Sequence, residues 1–175
     1  ATATGAFTFH AINANGAFAS GIEVLAGDEA YAGNGNTVTV RGGDVTGITA
    51  ASFAYDDGGD VTGITAASFA YDDGAANIVN LGIVDASGDL FALGAQAIAR
   101  NFHGDASFQN TGYVYATAQY GSAQGVVVSA DISGSVDNQG TIETRGGNSA
   151  YGVLALTADG DIDVTNGDTI ATYAG

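Results

Sequence analysis

The chain has 175 residues, 46% of them hydrophobic and 28 of them glycine, with no proline, cysteine, methionine or tryptophan and a formal net charge of −16. That acidity repels phosphate backbones and anionic surfaces, which excludes nucleic acid as a partner. The absence of cysteine excludes disulfides and thiolate metal sites.

The length suits one domain over residues 1–175, and a hydrophobic fraction rich in Ala and Val suits a narrow interior of small side chains. Residue 1 is Ala, whereas translation starts on Met, so the reading is a mature chain left by signal-peptide removal, secreted or held at the cell surface. No run approaches the ~18–20 apolar residues of a membrane-spanning helix, and no membrane insertion of the mature chain is expected. Of the 19 acidic residues only Glu23, Glu29 and Glu143 are Glu. Asp sits readily in turns and Glu in helices, so the bias predicts many turns.

Along the chain, "ATATGAFTFHAINANG" at the start is extended and apolar. Next come "ASGIEVLA" at residues 19–26, "AGNGNTV" at 32–38, and "TVTV" at 37–40, whose period-two alternation reads as a strand with one buried face. The sixteen residues "GGDVTGITAASFAYDD" at 42–57 then recur unchanged at 58–73.

Four segments follow that align on an asparagine: "IVNLGIV" at 78–84, "FQNTGYV" at 108–114, "VDNQGTI" at 136–142 and "VTNGDTI" at 164–170. They share the pattern apolar-x-Asn-x-Gly-x-Val/Ile, except that the last glycine slips to Gly167. Between them "SAQGVVVSA" at 122–130 matches "SAYGVLALTA" at 149–158. Each period of about 28–30 residues therefore reads as two extended stretches divided by Gly, Asn and Asp. Glycine every few residues costs a helix about 1 kcal/mol at each interior site. The absence of proline leaves every backbone N–H free to join a ladder.

The predicted fold is all-β: a parallel, right-handed β-solenoid whose successive coils pair strand on strand about 4.8 Å apart. Equivalent residues should stack. Ile78, Phe108, Val136 and Val164 form one predicted core column, and Val84, Val114, Ile142 and Ile170 another. Asn80, Asn110, Asn138 and Asn166 are predicted to form a side-chain amide ladder at a corner. Measured from Asn34, the next asparagine of the series lies 46 residues on, at Asn80; without the sixteen-residue copy the step is 30, the native period. The duplicate is thus an insertion into a regular coil. It is expected to bulge outward, which interior positions for Phe53 and Phe69 would contradict; the competing reading gives each 28-residue period two shorter rungs.

The stretch "SVDNQGTIETRGGNSAYGVLALTADGDIDVTNGDTIATYAG" resembles the repeats of large exported β-helix proteins of Gram-negative bacteria, the autotransporter-passenger and filamentous-haemagglutinin-like adhesins. The resemblance covers roughly residues 77–175, and more weakly the first forty. It implies a secreted or surface-displayed right-handed β-helix used for adhesion or for building extracellular structure. The 175 residues depart from that pattern in being far shorter and in holding no counterpart of the family's membrane barrel.

Signs of enzymatic chemistry are sparse, and the chain is read as a non-enzyme. His10 and His103 stand alone, and no G-x-S-x-G elbow, phosphate-binding loop or His-E-x-x-His is present. The pairs Asp56–Asp57 and Asp72–Asp73 read as turn residues, which leaves "DGDID" at 159–163 as the remaining acidic group. No cofactor is expected beyond weak surface calcium, since neither a nonapeptide calcium repeat nor an EF-hand loop occurs. Threonines do not recur at equivalent positions, against ice binding.

A solenoid without caps exposes strand edges that invite pairing, and neither terminal stretch reads as a cap. The expected function is a structural subunit of an extracellular filament or surface layer. Its expected partner is itself, in a head-to-tail homopolymer. The alternative is a monomeric adhesin fragment binding host or neighbouring-cell ligands. A polysaccharide-active β-helix, the third reading, lacks an identifiable carboxylate groove.

Overall fold

The computed structural model describes the backbone of residues 3–8, 12–26, 29–34, 37–49 and 60–68, and backbone with side chains over 75–99 and 103–175. All the regular structure among them is β. In chain order the strands are β1 (Ala3–Thr8), β2 (Ile12–Ala26), β3 (Glu29–Asn34), β4 (Thr37–Thr49) and β5 (Asp60–Ser68). Then come β6 (Ala75–Asn80), β7 (Ile83–Gly88), β8 (Phe91–Ala99), β9 (Asp105–Asn110), β10 (Tyr113–Ala118) and β11 (Ser122–Ala130). The last are β12 (Ser133–Asn138), β13 (Thr141–Gly146), β14 (Ser149–Thr157), β15 (Asp161–Asn166) and β16 (Thr169–Ala174).

Every pairing is parallel and runs from one coil to the next. Three strands make one coil: β6–β7–β8, then β9–β10–β11, then β12–β13–β14. The chain is a β-solenoid. Each 28- to 30-residue step between asparagines climbs a single rung, which overturns the reading of two short rungs per period.

The coil also has three walls where the sequence pattern suggested two extended stretches. The Asn-centred motif, read as one stretch, is two strands meeting at the Asn-x-Gly corner: β6 ends on Asn80 and β7 starts at Ile83. The asparagines stand at a corner as expected, and that corner, only two residues long, divides what the pattern counted as a single stretch.

The first wall stacks β1, β3, β6, β9, β12 and β15. The second stacks residues 12–16 of β2, 37–41 of β4, β7, β10, β13 and β16. The third stacks residues 18–26 of β2, 44–49 of β4, β5, β8, β11 and β14.

The duplicated block enters this third wall. Strand β5 lies in the second copy and pairs with the first copy like on like, Val45 with Val61 and Ile48 with Ile64. Its other edge pairs with β8. Meanwhile β3 pairs directly with β6, Asn34 opposite Asn80, so the first wall takes the 46-residue step without an added strand. The expected outward bulge is thus corrected for residues 60–68. A duplicate laid on its original matches it at every position, whereas a bulge would leave a whole strand of backbone N–H and C=O groups unpaired. At the far end of β5, residues 66–68 pair with 24–26 of β2, beyond the point where β4 stops. Phe53 and Phe69 lie outside the described residues.

The interior is narrow. Ala76, Ala86, Ala95, Ala97, Ala106 and Ala116 are fully or almost fully buried, around larger residues led by Phe108, Ile78 and Ile142. In β12 the burial alternates along the strand, with Gly134, Val136 and Asn138 inward. Each fully buried Val or Ile contributes about 1.5–3 kcal/mol by leaving water.

Candidate assembly interface

The corner between the first and second walls is built on asparagine. Asn80, Asn110 and Asn138 are buried, and a buried amide costs stability unless its donors and acceptors are matched. Here they are. The Nδ2 of Asn80 donates to Oδ1 of Asn110 at 2.8 Å, Asn110 to Asn138 at 2.7 Å, and Asn138 to Asn166 at 2.7 Å. Each amide also donates to the carbonyl two residues on: Gly82, Gly112, Gly140 and, in the last rung, Asp168.

The glycine of the motif follows from this crowding. A Cβ on Gly112 would collide with the carbonyl oxygen of Gly82, and one on Gly140 with that of Gly112. Those same carbonyls accept the N–H of Tyr113 and of Thr141 from the next coil at 2.8 and 3.0 Å.

The two core columns stand in register: Ile78–Phe108–Val136–Val164 and Val84–Val114–Ile142–Ile170. Their last members depart from the expected interior positions. Val164 is 47% exposed and Ile170 36%, against 1% for Val136 and 0% for Ile142 directly beneath. Ile162 is 45% exposed in the same rung. The cause is positional: β14, β15 and β16 each pair along one edge only among the described strands, so no described strand covers that rung. Asn166 accepts from Asn138 and spends one amide hydrogen on Asp168; its second has no partner among the described residues.

Other residues belong to this end that the sequence reading passed over. Thr144 lies inward between Ala116 and Thr172, fully buried, with its hydroxyl unbonded. The inner columns of the third wall, Ala95–Val126–Val153 and Ala97–Val128–Ala155, were announced by the match between "SAQGVVVSA" and "SAYGVLALTA". Arg145 ties the last two rungs on the outer face, bonding Glu143 at 2.7 Å and lying 5.0 Å over the ring of its cross-strand neighbour Tyr173. Beside it Tyr113 and Tyr115 stack with centroids 6.1 Å apart. Partial burial, then the nearby Glu143, Tyr113 and Asp85, push the Tyr115 hydroxyl above its usual range, so it stays neutral at physiological pH.

His103 adopts a left-handed backbone (φ 74°) and donates its N–H to Asp131 at 3.1 Å, as a turn residue does. Asp159, Asp161 and Asp163 are solvent-exposed along the final rung. Among the described residues no three His, Asp or Glu side chains gather as a metal site. His10, Asp56, Asp57, Asp72 and Asp73 lie outside the described residues.

Within the described residues this end presents three strands paired along one edge only, a part-exposed residue at the head of the apolar column on each side of the asparagine corner, and an amide ladder whose last member has one hydrogen without a partner. No protein-family model, curated protein or solved structure matches the chain.

Proposed function

We propose that the chain is a structural subunit of an extracellular, self-associating β-solenoid filament or surface layer, its copies stacking end to end through open strand edges. The observation that carries this reading is the in-register, like-on-like parallel stack, a ladder that a coil of a second copy can extend. Val164, Ile170 and Ile162 lie half in water at the head of columns whose lower members are dry, and the edges of β14, β15 and β16 stand ready to pair. One further in-register rung removes both costs at once. Such stacking is heterologous and does not close, so it propagates as a fibre. The resemblance to exported β-helix adhesins supports an extracellular setting.

Negative-stain electron microscopy together with static light scattering tests the proposal. Filaments of uniform width, with scattering that grows with protein concentration, are expected. A stable monomer at high concentration overturns it.

A second reading, a monomeric adhesin surface, draws on the outer face of the second wall, where Tyr113, Tyr115 and Tyr173 lie beside Arg145. Ligand capture by a chain that stays monomeric would put that reading first.

A further inference from the structure

The duplicated block makes a branch in the third wall. Along one edge of β2, residues up to Glu23 pair with the first copy: Ser20 with Thr46, Ile22 with Ile48 and Glu23 with Thr49. The next three residues pair with the second copy instead, Val24 with Ala66, Leu25 with Ala67 and Ala26 with Ser68. Residues 45–49 thus form a wedge between β2 and β5, with Val45 opposite Val61 and Thr49 opposite Thr65.

The wedge puts the walls out of step. From the coil of β3 to the coil of β6 the first wall advances by a single strand, because β3 pairs with β6. The second wall does the same, because residues 37–41 of β4 pair with β7. Over that step the third wall passes from residues 44–49 through β5 to β8, which is about 4.8 Å more than its neighbours. The excess ends at Thr49, where β2 and β5 come together.

We infer that the wedge is displaceable: β5 can replace residues 44–49 along β2, so that the third wall has two interchangeable pairings, one wedged and one closed. The exchange needs no slip of register. Val24 opposite Ala66 sets Glu23 opposite Thr65, Ile22 opposite Ile64 and Ser20 opposite Thr62, and each of these is the residue type that the same β2 position faces in the wedge. The branch point therefore moves along β2 one residue at a time without changing what any β2 residue meets. Gly42 and Gly43, just before the wedge, let the backbone turn away at little steric cost.

Closing pairs residues 18–26 with the whole of β5 and brings the three walls into step. It gives up the pairing of residues 45–49 with both neighbours and leaves their backbone groups to water. That loss keeps the wedged form the major one. Both pairings lie within one chain and stand apart from the end-to-end reading above.

Because the chain has no cysteine, cysteine pairs introduced into the full chain and mildly oxidised distinguish the two pairings. Ser20→Cys with Thr46→Cys reports the wedged form, and Ser20→Cys with Thr62→Cys the closed one. In the wedged form Ser20 and Thr62 stand two strands apart, about 9.6 Å, outside the ~4.4–6.8 Å Cα separation that a disulfide spans. Thr62→Cys with Gln124→Cys, two strands apart across Leu93, measures unspecific oxidation. Intrachain disulfides are to be read by mass spectrometry on the single-chain band of a non-reducing denaturing gel, for variants that keep β-type circular dichroism. Both Ser20 pairs should close, Ser20/Thr62 at least about tenfold faster than Thr62/Gln124. A Ser20/Thr62 rate no higher than that of Thr62/Gln124 overturns the exchange. Absence of the Ser20/Thr46 disulfide also overturns it, by showing that the wedge is not seated. Ile48 shares its register position with the buried Ala95, so adding Ile48→Asp weakens the wedge and should speed Ser20/Thr62 closure at least about threefold. An unchanged rate in that variant counts against displacement.

Discussion

At the scale of the residue, the asparagine ladder shows how an expensive group becomes a specifying one. Asn110 accepts from Asn80 and from the Gly112 N–H, and donates to Asn138 and the Gly112 carbonyl. Replacing it by Ala removes the acceptor used by the Asn80 amide on the coil beneath and the donor to the buried Asn138 Oδ1 on the coil above, and a buried polar group left unmatched costs about 1–3 kcal/mol. Asn110→Ala should therefore lower stability by about 2–4 kcal/mol, measured by urea unfolding followed by circular dichroism. Asn166→Ala, at the open end where water replaces the lost partners, should cost less than about 1 kcal/mol in the same assay. Equal losses at the two sites would show that the amides act singly and not as a ladder.

At the scale of the element, the coil depends on how tightly one wall turns into the next. The corner between β9 and β10 admits no Cβ at Gly112, because the obstacle is the backbone carbonyl of Gly82, which cannot swing aside. Gly112→Ala should destabilise by about 1–3 kcal/mol through forced backbone displacement. Gly167, in the last corner, has the flexible end of the Gln139 side chain as the nearest obstacle to a Cβ, so Gly167→Ala should cost less than about 0.5 kcal/mol. Thermal melts of the two variants check the difference. The asparagine and its place at a corner were visible in the motif, but the division of the motif into two strands, β6 ending on Asn80 and β7 starting at Ile83, was not.

At the scale of the whole molecule, pairing along the axis replaces a thick core, and in the proposed filament net charge opposes growth. With a formal charge of −16, two copies repel over distances that salt shortens, from about 30 Å at 0.01 M to about 3 Å at 1 M. Raising sodium chloride from 10 to 500 mM should lower the protein concentration needed for assembly by about tenfold or more, as read by light scattering. Assembly that weakens with salt would point instead to opposite charges meeting across the junction.

The repeat spacing was enough to determine the solenoid, the period and the stacking of asparagine on asparagine, because a parallel in-register ladder places like residues together and so writes its own period into the chain. Even the 46-residue step to Asn80 was readable as a native step plus an insert. Three features were decided only in three dimensions. The coil has three walls, since the asparagine corner is short enough that the strands on its two sides read as a single stretch. The second copy joins the stack as β5, since pairing satisfies a backbone that a bulge would leave unbonded. Val164 and Ile170, which hold the core positions of the repeat, stand partly exposed, because burial in a solenoid belongs to the rung above as much as to the residue itself.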